Sequence, residues 1–392
     1  MVIDSIPLLI PDLPSTKQLL PWLQRIEHNK WYTNFGPLVQ EFESKLVQLF
    51  TQWNHGNYYL TTVSSGTDAL ELALLALNIP EKRRALLPAF TFPATATAIK
   101  QCGLQPVFTD VEPSSWLLTP AIARQVLKKM AFDVVLPVAT FGYPQPVDEW
   151  DKFQEETGIP VLIDAAAAFG TQPLGERCII TFSFHATKPF GIGEGGLVVA
   201  NSADFIHQVN KLSNFGFDCG IISQSGSNAK LSEYHAAVAL AQLERWHQII
   251  KRRKKIWEIY RHYLGAMGNK ISLQETPDDP VPATLSIKLN DIGNNLSQLV
   301  KQLAKKGIQT RRWYYPPLSE HPAFRDIQRV APDGGDCLGV TKELSMSLLG
   351  LPFHTDLNEE MIDYICCHLL YSKNHSQFPM ASEQSFPITQ ND

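Results

Sequence analysis

Short apolar runs between about residues 60 and 200, separated by stretches with helical periodicity, constrain the fold of this chain most strongly. They are ALLPAF near residue 87, PVFTDV near 108, VVLPVAT near 137, VLIDA near 163, IITFSF near 181 and GLVVA near 198. Continuous Val, Ile and Leu runs suit strands that are buried on both faces. Their alternation with helices is typical of a sheet wound with crossover helices, so the sequence predicts an α/β domain.

A long helical pattern at residues 231–262, rich first in Ala and then in Lys and Arg, divides the chain. We expect it to bridge a large domain at 1–250, which includes an N-terminal arm, and a smaller C-terminal domain at 251–372 built from shorter α/β elements. The segment 373–392 is polar and contains two prolines, which predicts a disordered tail.

The charge pattern and the cysteines exclude several classes of protein. The net charge is −5 with both signs interspersed, which argues against a nucleic-acid or membrane partner. No apolar stretch approaches the roughly 20 residues that span a bilayer, and the N-terminus lacks the basic region of a signal peptide. The six cysteines form no C-x-x-C pair and the sequence contains no HExxH motif. These features predict a soluble, cytoplasmic protein without a metal site.

The segment Ser64–Asp68 (SSGTD) stands directly before the apolar run ALELALLAL. Small polar residues in this position mark the N-terminus of a helix. Free backbone N–H groups and the positive end of the helix dipole make such a place suitable for a phosphate group. Taken alone, however, the segment is explained better by an ordinary N-cap.

Asp164 closes the buried run VLIDA, and Lys188 follows the run IITFSF within SFHATK. A carboxylate at a strand end can hold a pyridine nitrogen protonated, and a partly desolvated lysine has the lowered pKa that imine formation requires. Alone, Asp164 fits a helix cap or a loop ion pair equally well, and Lys188 fits a surface lysine. Together, the order of phosphate loop, aspartate and lysine indicates a fold-type I pyridoxal phosphate enzyme.

The letters GIGEGG at residues 191–196 satisfy the G-x-G-x-x-G pattern of dinucleotide-binding proteins. That pattern must follow a strand and open a helix, whereas these glycines run into the apolar run GLVVA. We therefore predict that they allow a close approach of the backbone to a cofactor.

Several longer segments resemble a known family. They are WYTNFGP, SSGTDALELAL, PAFTFPATATA, FGYPQPVD, IDAAAAFG, SFHATKPFGIGEGG and GSNAKLSEYHAAVALAQL. From Ile6 to about Leu370 the chain resembles the DegT/DnrJ/EryC1/StrS family of pyridoxal phosphate-dependent sugar aminotransferases. The resemblance implies a fold-type I transferase similar to aspartate aminotransferase, with a large mixed-sheet α/β domain and a small C-terminal α/β domain.

The resemblance also implies a role for each residue that matches a family motif. Lys188 is the catalytic residue, which forms the Schiff base with pyridoxal 5'-phosphate and shuttles a proton to the substrate. Asp164 contacts the pyridine nitrogen, and Phe92 stacks on the ring. The other cofactor-binding residues are Gly66, Thr67, Asp68 and Ser183, together with Asn228, which reaches the phosphate from the neighbouring subunit and so implies a homodimer with shared active sites. Without this resemblance, Phe92 would be interpreted as an ordinary core residue and Asn228 as a residue of a turn.

Within the family, SFHATK followed by EGG resembles members that aminate C4 of a nucleotide-linked 4-keto-6-deoxy sugar, of the dTDP-4-keto-6-deoxyglucose type, with glutamate as the donor. Candidate contacts to this substrate are Tyr32, Asn34, Lys230, Arg311 and Tyr315. The two arginines of TRRWYY could hold a diphosphate, although a solvated basic turn explains them nearly as well.

Ala167 departs from the family pattern, because most members carry Gln or His there, near the ring hydroxyl of the cofactor. Two alternatives stay open, of which Ala167 supports the first. One is a non-catalytic sensor that binds the cofactor, and the other is a deoxysugar dehydratase built on the same scaffold. Dehydratase relatives replace the lysine, so the presence of Lys188 argues against that alternative.

Overall fold

The computed structural model describes residues 5–54, 56–277, 280–290, 295–332 and 337–371. The tail 373–392, for which the sequence predicts disorder, lies outside the described residues.

The described helices are α1 (Thr16–Asn29), α2 (Pro37–Trp53), α3 (Gly66–Ala76), α4 (Pro93–Gln101), α5 (Pro120–Leu127), α6 (Val147–Thr157), α7 (Ala203–Ser213), α8 (Glu233–Gly265), α9 (Leu296–Lys305), α10 (Gly339–Ser347) and α11 (Glu359–Tyr371). The described strands are β1 (Tyr59–Val63), β2 (Arg84–Pro88), β3 (Gln105–Thr109), β4 (Val134–Val135), β5 (Leu162–Asp164), β6 (Ile179–Ser183), β7 (Gly196–Ala200), β8 (Phe217–Asp218), β9 (Ile221–Ile222), β10 (Ile271–Ser272), β11 (Ser286–Leu289), β12 (Gln328–Arg329) and β13 (Leu348–Gly350).

One mixed sheet forms the centre of the large α/β unit. Its two halves have the strand orders β1-β7-β6-β5 and β12-β3-β2-β4. Parallel bridges from Val135 to Val161 and from Val138 to Asp164 join the halves. Strand β7 runs antiparallel to both of its neighbours, and the other pairings of the sheet are parallel. The prediction of an α/β fold is confirmed.

The carboxyl ends of β1, β2, β5 and β6 lie at the same edge of this sheet. Strands β1 and β6 are both antiparallel to β7 and therefore point in the same direction, and β5 pairs with β6 in parallel. The parallel bridges and the β2–β4 pairing extend this direction to β2. Ligands of α/β proteins bind outside the carboxyl ends of the strands, so this edge is where a site is expected.

Strand β1 is absent from the strands that the sequence predicts, although it pairs with β7 along its whole length. Its polar residues Thr61 and Thr62 are fully buried. The carboxylate of Glu43 on α2 accepts hydrogen bonds from the backbone N–H of Thr62 (2.7 Å) and from its hydroxyl (2.8 Å). Because a side chain from another element satisfies these groups, the strand is buried without an apolar sequence.

Helix α8 connects two separate hydrophobic cores. Its first half contributes Ala236, Leu240 and Trp246 to the core beneath the mixed sheet. Its second half contributes Ile256 and Tyr260 to a C-terminal core that also includes α9, α11 and the antiparallel sheet β10-β11-β13. The helix predicted at 231–262 is thus present, and it bridges the two units.

The N-terminal segment packs on the C-terminal core. Ile6 is buried there, and it pairs in parallel with Ile308. The backbone N–H of Phe353 donates to the carbonyl of Leu8 (3.1 Å). We retain the division near residue 250 as a proposal, with the first residues of the arm packed against the smaller unit.

None of the described helices is both long enough and apolar enough to cross a bilayer.

A buried carboxylate joins the start of α2 to the start of α8. The backbone N–H groups of Leu38 and Val39 donate to the two carboxylate oxygens of Glu233, each at 2.9 Å. The backbone N–H of Glu233 in turn donates to the carbonyl of Tyr32 (3.0 Å). The first N–H groups of a helix lack intrahelical acceptors, so Glu233 satisfies donors that would otherwise be buried without partners.

We predict that Glu233→Ala lowers the free energy of unfolding by about 3 kcal/mol, because two buried N–H groups lose their acceptor. Urea denaturation followed by circular dichroism measures the change. Glu258→Ala, an exposed glutamate on the same helix, is the control and should shift the value by less than about 0.5 kcal/mol. Equal effects of the two substitutions would contradict the capping role.

Candidate active site

A cavity of about 630 Å³ opens at the sheet edge where the carboxyl ends of the four strands meet. The residues that line it include Gly66, Thr67, Phe92, Asp164, Ser183, Lys188 and Arg311. Six of these were predicted to bind or react with a cofactor, and Arg311 was predicted to contact substrate. The structure therefore brings the main elements of the predicted site together.

The N-terminus of α3 forms one end of the cavity. Ser65 is its N-cap, and the Ser65 hydroxyl accepts from the backbone N–H of Asp68 (3.0 Å). The N–H groups of Gly66 and Thr67 belong to the first turn, where an α-helix provides no acceptor. With the nearby hydroxyl of Ser183 they form a site that suits an anion.

Glycines allow the backbone segments at this end to pack closely. A Cβ atom at Gly66 would lie 2.5 Å from Cβ of Ser183, and one at Gly196 would lie 2.1 Å from the carbonyl oxygen of Ser65. A Cβ at Gly191 would lie 2.5 Å from the carbonyl oxygen of Ala186. Gly191 and Gly196 thus permit contact between neighbouring backbone segments of the site, and the predicted close approach to a cofactor stays a prediction.

Asp164 lies at the end of β5 and is 5% exposed. Its Oδ2 accepts from the hydroxyl of Thr95 (2.7 Å), and its Oδ1 accepts from the backbone N–H of Ala166 (3.2 Å). Burial raises the pKa of this carboxyl, while the two donors and the charge of Lys188 oppose the rise. Thr95 was not among the residues predicted to form the site, although it lies within the PAFTFPATATA segment.

Lys188 lies in the turn that follows β6. Its backbone N–H donates to the carbonyl of His185 (2.9 Å), which fixes the turn. Enclosure lowers the pKa of the Lys188 amine, and the negative charge of Asp164 acts in the opposite direction. A lowered pKa increases the neutral fraction of the amine at neutral pH, which is the form that attacks a carbonyl carbon.

Phe92 is not a core residue. It is the N-cap of α4 and is 55% exposed, with its ring at the cavity wall. An apolar ring exposed at a cavity offers a flat surface for another planar group.

His185 and Glu194 form a pair near Lys188 that the sequence analysis did not single out. Both line the cavity, and His185 Nε2 is 3.6 Å from a carboxylate oxygen of Glu194. The backbone N–H of Thr187 lies 3.3 Å from His185 Nδ1, and the hydroxyl of Thr187 lies 2.9 Å from the same nitrogen, which holds the imidazole ring in place.

The smaller unit supplies the opposite wall, which the sequence analysis found only in part. Tyr314 packs edge-on against Phe90, with ring centroids 5.4 Å apart, and stacks with Phe141 at 5.9 Å. The guanidinium of Arg311 lies 4.2 Å from the ring centroid of Trp313. Burial and the charge of Asp164 raise the pKa of the Tyr314 phenol, so this hydroxyl is neutral at physiological pH.

Six of the predicted residues are not among those that line this cavity, namely Tyr32, Asn34, Asp68, Asn228, Lys230 and Tyr315. The carboxylate of Asp68 faces the hydroxyls of Ser64 (2.5 Å) and Ser65 (2.8 Å). The guanidinium carbon of Arg312 lies over the ring of Tyr315, 3.5 Å from the ring centroid.

Asn228 and Lys230 instead form a polar cluster outside the cavity. The Lys230 amine donates to Oδ1 of Asn228 (2.7 Å) and of Asn214 (2.8 Å), and it lies over the ring of Phe215. Partial burial lowers its pKa.

Ala167, the residue that departs from the family pattern, lines the cavity. Its methyl group can donate no hydrogen bond. In the described part of the chain, no group of three or more His, Cys, Asp and Glu side chains is arranged to hold a metal ion.

Two sequence relatives and two solved structures resemble the chain over most of its length. A dTDP-4-amino-4,6-dideoxy-D-glucose transaminase of Escherichia coli is 31% identical, over 91% of this chain and 96% of the relative. A GDP-perosamine synthase of Escherichia coli O157:H7 is 28% identical, over 86% of this chain and 90% of the relative.

A PLP-dependent aminotransferase structure from Bacillus cereus superposes with a TM-score of 0.85 at 31% identity, covering 93% of this chain and all of the other. The structure of DesI in the presence of its TDP-sugar product gives a TM-score of 0.81 at 28% identity, covering 93% of this chain and 92% of the other. These likenesses confirm the predicted transferase fold.

The family model for the DegT/DnrJ/EryC1/StrS aminotransferases matches residues 15–370, which includes every side chain that lines the cavity except Leu9. The chain, whose cavity holds an aspartate at the end of β5 and a lysine in the turn after β6, belongs to the DegT/DnrJ/EryC1/StrS aminotransferase family.

Proposed function

We propose that this protein is a pyridoxal phosphate-dependent aminotransferase that transfers the amino group of glutamate to C4 of a nucleotide-linked 4-keto-6-deoxy sugar. The observation that carries the proposal is that Lys188 and Asp164 share one cavity with the N-terminus of α3. The names of the relatives support the substrate class, since one is a transaminase of a dTDP-linked 4-amino-4,6-dideoxy sugar and one structure holds a TDP-sugar product.

The residues of the cavity fit pyridoxal phosphate. The N–H groups of Gly66 and Thr67 and the hydroxyl of Ser183 would hold the phosphate, and the exposed ring of Phe92 would cover the pyridine. Asp164 would contact the ring nitrogen. When bound, the cofactor supplies the electron sink that stabilises negative charge at the substrate carbon.

In this proposal Lys188 is the catalytic residue. Its lowered pKa favours the neutral amine, which can accept a proton at Nζ and return it to the substrate carbon from the same position. One base can therefore serve both the glutamate and the sugar half of the reaction. Burial of the Lys188 amine and of Asp164 strengthens the interaction between their charges.

Arg311 is the candidate ligand for an anionic part of the substrate. It lines the cavity, and no ion pair of the described residues involves it. A guanidinium can bind a phosphate or a carboxylate through two parallel hydrogen bonds. Ala167, which lacks a donor, leaves the ring hydroxyl of the cofactor without the contact that Gln or His makes in relatives, so we expect it to affect rate rather than reaction type.

We further propose a homodimer in which each subunit completes the cavity of the other. The hairpin β8–β9 exposes the apolar side chains of Phe217, Ile221 and Ile222 beside the Asn228–Lys230 cluster. Contiguous exposed apolar groups are typical of an interaction surface. Tyr32 of the N-terminal arm stacks with Tyr234 near the start of α8, and both rings are exposed. A second copy would bury these groups and could receive Asn228 and Lys230 at its cavity.

We predict that borohydride treatment of protein made with ample vitamin B6 fixes the cofactor to Lys188, because an imine can be reduced to a stable amine. Peptide mass spectrometry locates the adduct. Lys188→Arg should abolish the adduct and lower amino transfer from glutamate by at least about a thousandfold, since a guanidinium is a poor base. Lys254→Arg on the exposed face of α8 is the control. An adduct at another lysine would exclude the proposed role, and a coloured wild-type protein that glutamate leaves unchanged would favour a sensor.

The shared site predicts a specific pattern in mixed dimers. A dimer of one Lys188→Ala and one Lys230→Glu subunit, purified through two tags, should recover about half of the wild-type activity because one of its two sites is complete. A dimer of wild type with the Lys188→Ala/Lys230→Glu double variant should be nearly inactive. If each subunit completed its own site, the two results would be exchanged, and monomers in analytical ultracentrifugation would contradict the dimer itself.

A further inference from the structure

Two buried threonine hydroxyls link the start of α4 to Asp164. The hydroxyl of Thr95 lies 2.7 Å from Oδ2 of Asp164, and the hydroxyl of Thr91 lies 2.9 Å from that of Thr95. Thr91 and Thr95 are at most 1% exposed. Each distance is that of a normal hydrogen bond between oxygen atoms, so the three side chains form a continuous chain.

The charge of Asp164 determines which oxygen donates in each of these hydrogen bonds. An ionised carboxylate can only accept, and a hydroxyl has one proton to donate. With Asp164 ionised, Thr95 must donate to it, and Thr91 must donate to Thr95. Hydrogen bonds aligned in this way polarise one another, which strengthens the bond at the carboxylate.

The hydroxyl of Thr95 differs from the charge of Lys188 in the way it stabilises the charge of Asp164. Burial raises the pKa of the carboxyl, and Thr95, the N–H of Ala166 and the charge of Lys188 oppose the rise. Lys188 must become neutral to act as a nucleophile and base, so its support is lost during the reaction. Tyr314, whose pKa is raised by burial and by the charge of Asp164, is neutral and gives the carboxylate no opposite charge. Like the N–H of Ala166, the two hydroxyls do not titrate, so the stabilisation that they give to the carboxylate stays the same throughout the reaction.

The same turn of the chain also places Phe92. This residue lies between Thr91 and Thr95 as the N-cap of α4, with Pro93 at the first helical position. The turn therefore fixes the exposed ring at the cavity wall and the donor to Asp164 together.

We propose that Thr95, oriented by Thr91, is the positioning residue that keeps Asp164 ionised and aimed into the cavity, and so keeps the ring nitrogen of the cofactor protonated. This inference rests on the proposed function, because it assigns the threonine pair a role toward pyridoxal phosphate.

The test compares four variants of the holoenzyme. Thr95→Val removes the hydroxyl and retains the shape of the side chain, whereas Thr95→Ser retains the hydroxyl. Thr91→Val removes only the second donor. Thr109→Val is the matched control. Thr109 ends β3, is also fully buried, and its hydroxyl donates to the carbonyl of Val330 (3.0 Å).

The main readout is the ratio of the affinities for pyridoxal phosphate and for an analogue in which carbon replaces the ring nitrogen. A buried carboxylate favours the nitrogen and disfavours the carbon–hydrogen group. We expect Thr95→Val to lower this preference roughly tenfold and to lower kcat by a similar factor, with KM for the sugar within about twofold. Thr95→Ser should restore both values to within about threefold, and Thr91→Val should give about a threefold loss.

An unchanged preference in Thr95→Val would overturn the inference, even if the variant were less stable. An equal loss in Thr109→Val would also overturn it, because the effect would then be that of any buried hydroxyl. If Thr95→Val does not fold, Thr91→Val decides the question with the same readout. Failure of the proposed function has a different signature, which is wild-type protein that binds no pyridoxal phosphate or transfers no amino group from glutamate.

Discussion

The opposition between a buried carboxyl and an enclosed amine is the interaction on which the site depends. Burial favours the neutral form of both Asp164 and Lys188, because it raises the pKa of the first and lowers that of the second. Their mutual attraction opposes the effect of burial, because the charge of Lys188 lowers the pKa of Asp164 and the charge of Asp164 raises the pKa of Lys188. The protein adds neutral donors on the side of Asp164, and this asymmetry favours a charged carboxylate beside an amine that can lose its proton.

The sheet explains why most of the site could be predicted from sequence. Asp164 and Ser183 end strands, and Gly66 and Lys188 follow strands, whose carboxyl ends lie at one edge. The order of motifs along the chain therefore gives their proximity in space. Strand β1 could not be predicted in this way. Its threonines are buried by contacts with Glu43, and no apolar pattern marks such a strand.

The residues that the sequence analysis missed depend on tertiary contacts. Thr95 resembles any helical threonine until its hydroxyl is seen beside Asp164. Tyr314 lies in a segment without periodicity, and the smaller unit places it against Phe141 of the large one. Asn228 and Lys230 lie outside the cavity of their own subunit, so their predicted role requires a second copy of the chain.

Helix α8 has a consequence for the way in which the molecule loses its structure. The same continuous helix contributes side chains to the core under the mixed sheet and to the core of the smaller unit. Arg253, near its middle, also donates to the carbonyls of Pro282 (2.7 Å) and Ala283 (2.9 Å) at the cavity wall. Disruption of either core exposes apolar surface on a helix that the other core needs. The two units should therefore melt together in one cooperative transition, although each has a hydrophobic interior of its own.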